Sequence, residues 1–116
     1  MTFDIEIVLR ERTFAVTETV EHQTRTDDWT ELDVEVVLKE ILLAIDRARN
    51  PHRDDRYVAL RGFSWIVEPF EGGVVIALEI PSGAAVAGPF DIEQARLDAL
   101  IARVIASARP TPPVVH

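Results

Sequence analysis

The first residues of the chain alternate in character. Phe3, Ile5, Ile7 and Leu9 are apolar while Asp4 and Glu6 between them are charged, the period-two pattern of a strand with one buried face. After the charged run 10 to 12, Phe14, Val16 and Val20 repeat the alternation, so the two stretches predict a hairpin. The segment 21 to 28, EHQTRTDD, breaks the apolar pattern and reads either as the exposed end of the second strand or as a loop.

Past residue 30 the period changes. Val34, Val37, Leu38, Ile41, Ile45 and Ala48 recur at helical spacing, the stripe of a core-facing helix. Thr30 and Asp33 have capping-box spacing, and Trp29 before the cap is positioned to pack on Val34. Acids Glu31, Asp33 and Glu35 fall at the positive end of the helix dipole and Arg47 and Arg49 at the negative end. Asn50-Pro51 ends the helix. Leu32, Val36, Leu42 and Leu43 widen the apolar surface beyond a single face, so this helix is expected to be covered on more than one side, by a second helix or by a copy of itself.

Residues 57 to 67 and 74 to 80 read as two further strands joined through Gly72-Gly73, a tight-turn signal. Residues 91 to 108 predict a second helix, with Leu97, Leu100, Ile101, Val104 and Ile105 on one side, Asp91 as its cap and Gln94 in the capping-box position. The predicted order is ββαββα. It describes an α+β two-layer sandwich of about four antiparallel strands in two hairpins, with two helices on one face. A chain of 116 residues fits one such domain, taken as 1 to 109, followed by a flexible, Pro-rich tail from 110 to 116.

The register of the second hairpin decides the role of Tyr57, Arg61 and Trp65. Paired numbers summing to 145 or to 143 set Trp65 opposite Ile80 or Leu78 and send Tyr57, Phe63 and Trp65 to the core. A sum of 144 sets Trp65 opposite Glu79 and turns Tyr57, Arg61 and Trp65 into an exposed face able to bind a ligand or partner. The Gly-Gly signal favours the core registers.

Composition narrows the partners. Twenty acidic residues against twelve basic give a net charge of −8, a field that repels polyphosphate backbones, so neither nucleic acid nor an anionic membrane is an expected partner. The first 60 residues hold 14 acidic and 8 basic side chains and the remainder 6 and 4, so a basic protein partner would find most to meet on the first half. The chain has no cysteine, which removes disulfides, thiolate metal sites and a cysteine nucleophile. The acidic first residues resemble no signal peptide, and no apolar run is long enough to span a bilayer. A cytoplasmic location is the resulting expectation.

One stretch has the look of chemistry. In GAAVAGPF, residues 83 to 90, two glycines are separated by four residues before a helical pattern, the opening of a phosphate-cradling loop. Pro89 stands where the lysine belongs and Phe90 where the hydroxyl belongs, and proline also deletes a backbone donor. The plain reading is a strand exit, a turn and the start of the second helix, and no cofactor is expected.

His22, His52 and His116 lie far apart, without the spacing that puts two imidazoles on one metal. His22 with Asp27 and Asp28, or His52 with Asp54 and Asp55, offers N/O ligands, but such neighbours are more often surface residues, and no metal is expected. Ser64, Ser82 and Ser107 sit in no nucleophile-elbow pattern. The run 47 to 56, RARNPHRDDR, gathers Arg49, His52, Arg53 and Arg56 as candidate anion contacts, set against the plainer reading of a helix end followed by a solvated loop. The sequence thus predicts a non-catalytic protein-interaction module, a homodimer through the wide helix. The alternative is a small-molecule binder or small enzyme with its pocket between sheet and helices, using Tyr57, Arg61 and Trp65.

Overall fold

A computed structural model of the chain describes residues 1 to 108; the expected tail from 110 to 116 lies outside the described residues. The opening alternation folds as strand β1 (Thr2–Leu9), which buries Phe3, Ile5, Ile7 and Leu9 and leaves Asp4, Glu6 and Val8 exposed. Strand β2 (Ala15–Glu21) pairs antiparallel with it, Ile5 opposite Glu18 and Ile7 opposite Val16. Phe14 falls outside the strand and stays exposed.

Helix α1 (Glu31–Arg49) begins at the predicted cap, where the Thr30 backbone N–H donates to Asp33 Oδ2 at 2.9 Å. Near its other end, Arg47 clamps the Glu18 carboxylate on β2 through Nη2 at 2.8 Å and Nε at 3.1 Å. Part of its wide apolar surface, Leu42 included, is used inside the chain. The sheet and a second helix cover one side, and the segment 51 to 63 folds back over the C-terminal half with Leu60 buried. Leu32 and Val36 remain exposed on the outer side of α1.

The expected strand from Tyr57 is shorter than its pattern suggested. Strand β3 starts at Ser64 and runs to Phe70. Arg56 is held on α1, donating to Asp46 Oδ2 at 2.9 Å and to the Asn50 carbonyl at 2.8 Å, and Gly62 adopts a φ of 76°. The chain therefore crosses from helix to sheet edge over residues 57 to 63 and joins the ladder only afterwards. β3 pairs with β4 (Gly73–Ile80) around a two-residue turn whose Glu71 and Gly72 both have positive φ, 45° and 81°, as a type I′ hairpin requires. Trp65 lies opposite Leu78, so paired numbers sum to 143, and Phe63 and Trp65 pack against the core.

The principal correction concerns residues 83 to 90. They are neither a loop nor a helix approach but a full strand, β5 (Gly83–Phe90), and the sheet has five strands in the order β2-β1-β5-β4-β3. β5 is its centre, antiparallel to β1 on one side and β4 on the other. Its small residues suit that position, because Ala85 and Ala87 are fully buried on the helix side. A side chain at Gly83 would begin 2.5 Å from the Val8 carbonyl oxygen. The glycine spacing that resembled a phosphate loop thus serves close strand packing, with Gly88 at a φ of 130°.

Helix α2 (Gln94–Ala108) also starts later than predicted. The Leu97 N–H bonds the Glu93 carbonyl at 3.0 Å, while the Asp91 carbonyl accepts from Thr26 Oγ1 at 2.6 Å and Gln94 Nε2 donates to the Val67 carbonyl at 2.9 Å. Asp91 lies three residues before the first residue of α2, too early to cap it, and its carbonyl instead tethers the loop at 22 to 30. That loop contains a single 3-10 turn, Thr26–Asp28. Arg96 of α2 fastens it by donating to the carbonyls of Thr26, Asp27 and Trp29 at 3.1, 3.3 and 3.0 Å. Trp29 is buried within this clasp, its Nε1 on the Thr24 carbonyl at 2.9 Å and its ring 5.1 Å from Phe90.

Candidate functional site

Both helices lie on one side of the sheet, so the other side is open. The strand register assigns its residues. One row runs Thr17, Glu6, Val86, Ala77, Ile66 across β2, β1, β5, β4 and β3, and the next runs Ala15, Val8, Ala84, Glu79, Ser64. On this face β2 and the Asp4–Glu6 part of β1 are polar, while Val8 at the end of β1 joins an apolar area on β3 to β5, with Val8 47%, Ile66 52% and Val86 43% exposed. A shallow depression of about 220 Å³ lies there, bordered by Ile66, Ala77, Ala84 and Val86. Carboxylates edge the apolar half: Asp4 and Glu6 from β1, Glu68 from β3 and Glu79 from β4. None of the five strands contains a lysine or arginine.

A second region lies at one end of the molecule, where α1 finishes, β1 ends and the β4–β5 turn presents Pro81 and Ser82. A cleft of about 440 Å³ is floored by Leu42, Ile45, Val58 and Ile80, with Arg49, Arg61 and Tyr57 at its margins. Tyr57 is 88% exposed. The structure thus brings Tyr57 and Arg61 to one cleft but separates them from Trp65, which is half-buried against the core.

The four candidate anion contacts also divide. Arg49 reaches the cleft and donates to Ser82 Oγ at 3.3 Å. Arg56 is committed to Asp46, both largely buried. Burial pushes the Asp46 carboxyl up, but Arg56 and Asn50 outweigh it and hold the group below its ordinary value. Arg53 lies 3.7 Å from Asp55 on the exposed loop, and His52 is exposed there.

His22 approaches neither Asp27 nor Asp28 as a ligand pair; its Nε2 lies 3.0 Å from Asp33 Oδ1. Burial pushes the Asp33 carboxyl up, yet the Thr30 backbone N–H and the side chains of His22, Thr24 and Thr30 leave it at about 2. Among the described residues no three His, Cys, Asp or Glu side chains come together as a metal site, and no described helix is long and apolar enough to cross a membrane. No protein-family model, curated protein or solved structure matches the chain.

The open face is hidden in the sequence because its centre, β5, has the local pattern of a turn. Without β5 the outward positions of β1 and β4 have no shared surface. The signal available was the alternation Ala85, Val86, Ala87, muted by side chains that are small on the buried side.

Proposed function

We infer that the chain is a non-catalytic protein-interaction module that docks a partner through the open face of its sheet. The supporting observation is the apolar half-face of Val8, Ile66, Ala77, Ala84 and Val86, bounded by Asp4, Glu6, Glu68 and Glu79 and lacking any cation. An exposed apolar patch with a polar rim is the usual form of an interaction site, and the rim's sign selects the partner. The partner is a protein with an apolar ridge flanked by lysine or arginine. A second copy of this chain fits less well, because two such faces would set like charges against each other. The cysteine-free composition suits a reducing compartment, so the cytoplasm is the proposed location.

Native co-purification of the wild type beside a variant carrying Ile66→Asp and Val86→Asp tests this reading. Both positions are exposed, so the variant should keep the wild-type circular dichroism. The expected result is a stoichiometric partner with the wild type, weakened by salt and absent from the variant. No stoichiometric partner, or one retained by the folded variant, would overturn it.

A further inference from the structure

The twelve basic side chains of this acidic chain are not evenly used. Arg47 and Arg56 are locked in close ion pairs on α1, and Arg96 is spent on backbone carbonyls. Arg10, Arg12, Arg49 and Arg61 have no carboxylate within 4.0 Å among the described residues, yet all four lie around the Pro81-Ser82 turn. Arg10, Arg12 and Arg49 line a cleft of about 290 Å³, and Arg49 and Arg61 line the apolar-floored cleft of about 440 Å³ beside it. The two clefts share Arg49, Pro81 and Ser82.

Local geometry holds this group in place. The Arg10 N–H donates to the Ser82 carbonyl at 3.0 Å, which joins the end of β1 to the β4–β5 turn. Arg49 donates to Ser82 Oγ, and the Arg12 guanidinium lies 6.0 Å from the centroid of the Phe14 ring, within reach of a cation–π contact. Two carboxylates border the clefts, and a third, Glu79, shares an adjoining depression with Arg10. Glu11 lines the first without pairing, and Asp46 lines the second but is already taken by Arg56.

Four guanidinium groups without a carboxylate inside 4.0 Å gather at one end of a chain of charge −8, a local excess of positive charge that an anion would neutralise. Guanidinium forks match the oxygens of phosphate closely, and three around one cleft suit a dianion better than a single carboxylate. The neighbouring floor presents the half-buried Val58 and Ile80, with Tyr57 at its margin, as contacts for an apolar body. Its volume falls within the ordinary range for small-molecule sites.

We propose that this end of the molecule binds a small phosphate monoester with an apolar body, its phosphate among Arg10, Arg12 and Arg49 and its body on the floor beneath Tyr57. The site adjoins the open sheet face at Arg10, which lines a depression with Ser64 and Glu79, while Arg49 and Tyr57 lie outside that face. Phenyl phosphate and inorganic phosphate are the probes, titrated into the full chain at low salt and followed by backbone amide NMR.

Phenyl phosphate should bind saturably, with shifts centred on Arg10, Arg49, Arg61 and Ser82. Arg49→Gln should weaken it by about 10-fold to 100-fold, the loss expected for a charged hydrogen-bond donor. Tyr57→Ala should weaken phenyl phosphate but not inorganic phosphate, and Arg103→Gln on α2 should change neither. Arg49 and Tyr57 are exposed, so their variants keep the fold, which the unshifted remainder of the spectrum verifies. The proposal is overturned by an absence of saturation below about 10 mM, by equal binding to Arg49→Gln, or by shifts that map elsewhere.

Discussion

Ala87→Leu separates the two readings of residues 83 to 90 most cleanly. Ala87 is 0% exposed, paired with Ile5 on β1 and Ile76 on β4, each also fully buried. Leucine adds three carbons on the helix side of the central strand. If a void were waiting, their transfer from water would stabilise by about 2 kcal/mol. With both neighbours fixed in the ladder and the helix layer above, overpacking wins, and a net loss of about 1 to 3 kcal/mol is expected.

For a chain of this size each kcal/mol moves the melting temperature by about 4 °C, so a loss of 2 kcal/mol lowers it by about 8 °C. Calorimetry and urea titration should agree on the loss, with an unchanged m-value. Val86→Thr on the neighbouring outward position, 43% exposed, keeps the β-branched shape and should stay within about 0.5 kcal/mol of wild type. A surface turn would tolerate both changes alike. Ala87→Leu within about 0.5 kcal/mol of wild type would refute the assignment of β5 to the centre of the sheet.

Two further outcomes follow from the clasp around Trp29. Arg96→Ala strips the carbonyls of Thr26, Asp27 and Trp29 of their charged donor and should cost about 1.5 to 3 kcal/mol, read in urea as a lower midpoint; a loss below about 0.5 kcal/mol would deny the clasp a structural role. Asp33 has a folded pKa of about 2, below its ordinary 3.8, so its contribution is fully present above pH 4 and disappears as pH falls from 4 towards 2. That contribution is about 1 to 2 kcal/mol, so the wild type should lose that much more stability over this interval than Asp33→Asn, and parallel curves would contradict it.

Much of this fold is legible from local pattern. The alternation of β1, the Thr30–Asp33 cap and the stripe of α1 are each decided within a few residues, and each appears where the pattern places it. The register of β3 with β4 was narrowed to a few discrete sums, of which the turn at Glu71-Gly72 selects 143. What escaped depends on distant partners. GAAVAGPF has weak strand propensity because its centre is alanine and glycine, and only β1, β4 and the helices above explain why those small residues are needed. Tyr57 to Phe63 carries strand-like residues but is drawn away by Arg56 on Asp46 and the turn at Gly62. The Asp91–Gln94 spacing fits a cap, yet α2 begins only at Gln94, whose side chain turns to the remote Val67 carbonyl while the Asp91 carbonyl holds Thr26.

The candidate surfaces divide in the same way. Arg49, Arg61 and Tyr57 were singled out from the sequence and meet at one cleft. Arg10 and Arg12 carry no such signal, because nothing in the linear sequence brings the end of β1 to the end of α1. The open face needed the strand order itself. Its acidic rim and apolar centre come from four strands whose adjacency no single stretch discloses.

Carboxylate labelling of the complex tests the docking face most directly. The protein is isolated with its partner, treated with a water-soluble carbodiimide and an amine, and compared with the free chain residue by residue. The account predicts that Glu68 and Glu79, which edge the apolar half-face, lose reactivity in the complex while Glu31 on the helix layer keeps it. Unchanged labelling of Glu68 and Glu79, with protection at Glu31 instead, would show that the partner sits on the helices and would contradict the assignment of the open sheet as the docking face.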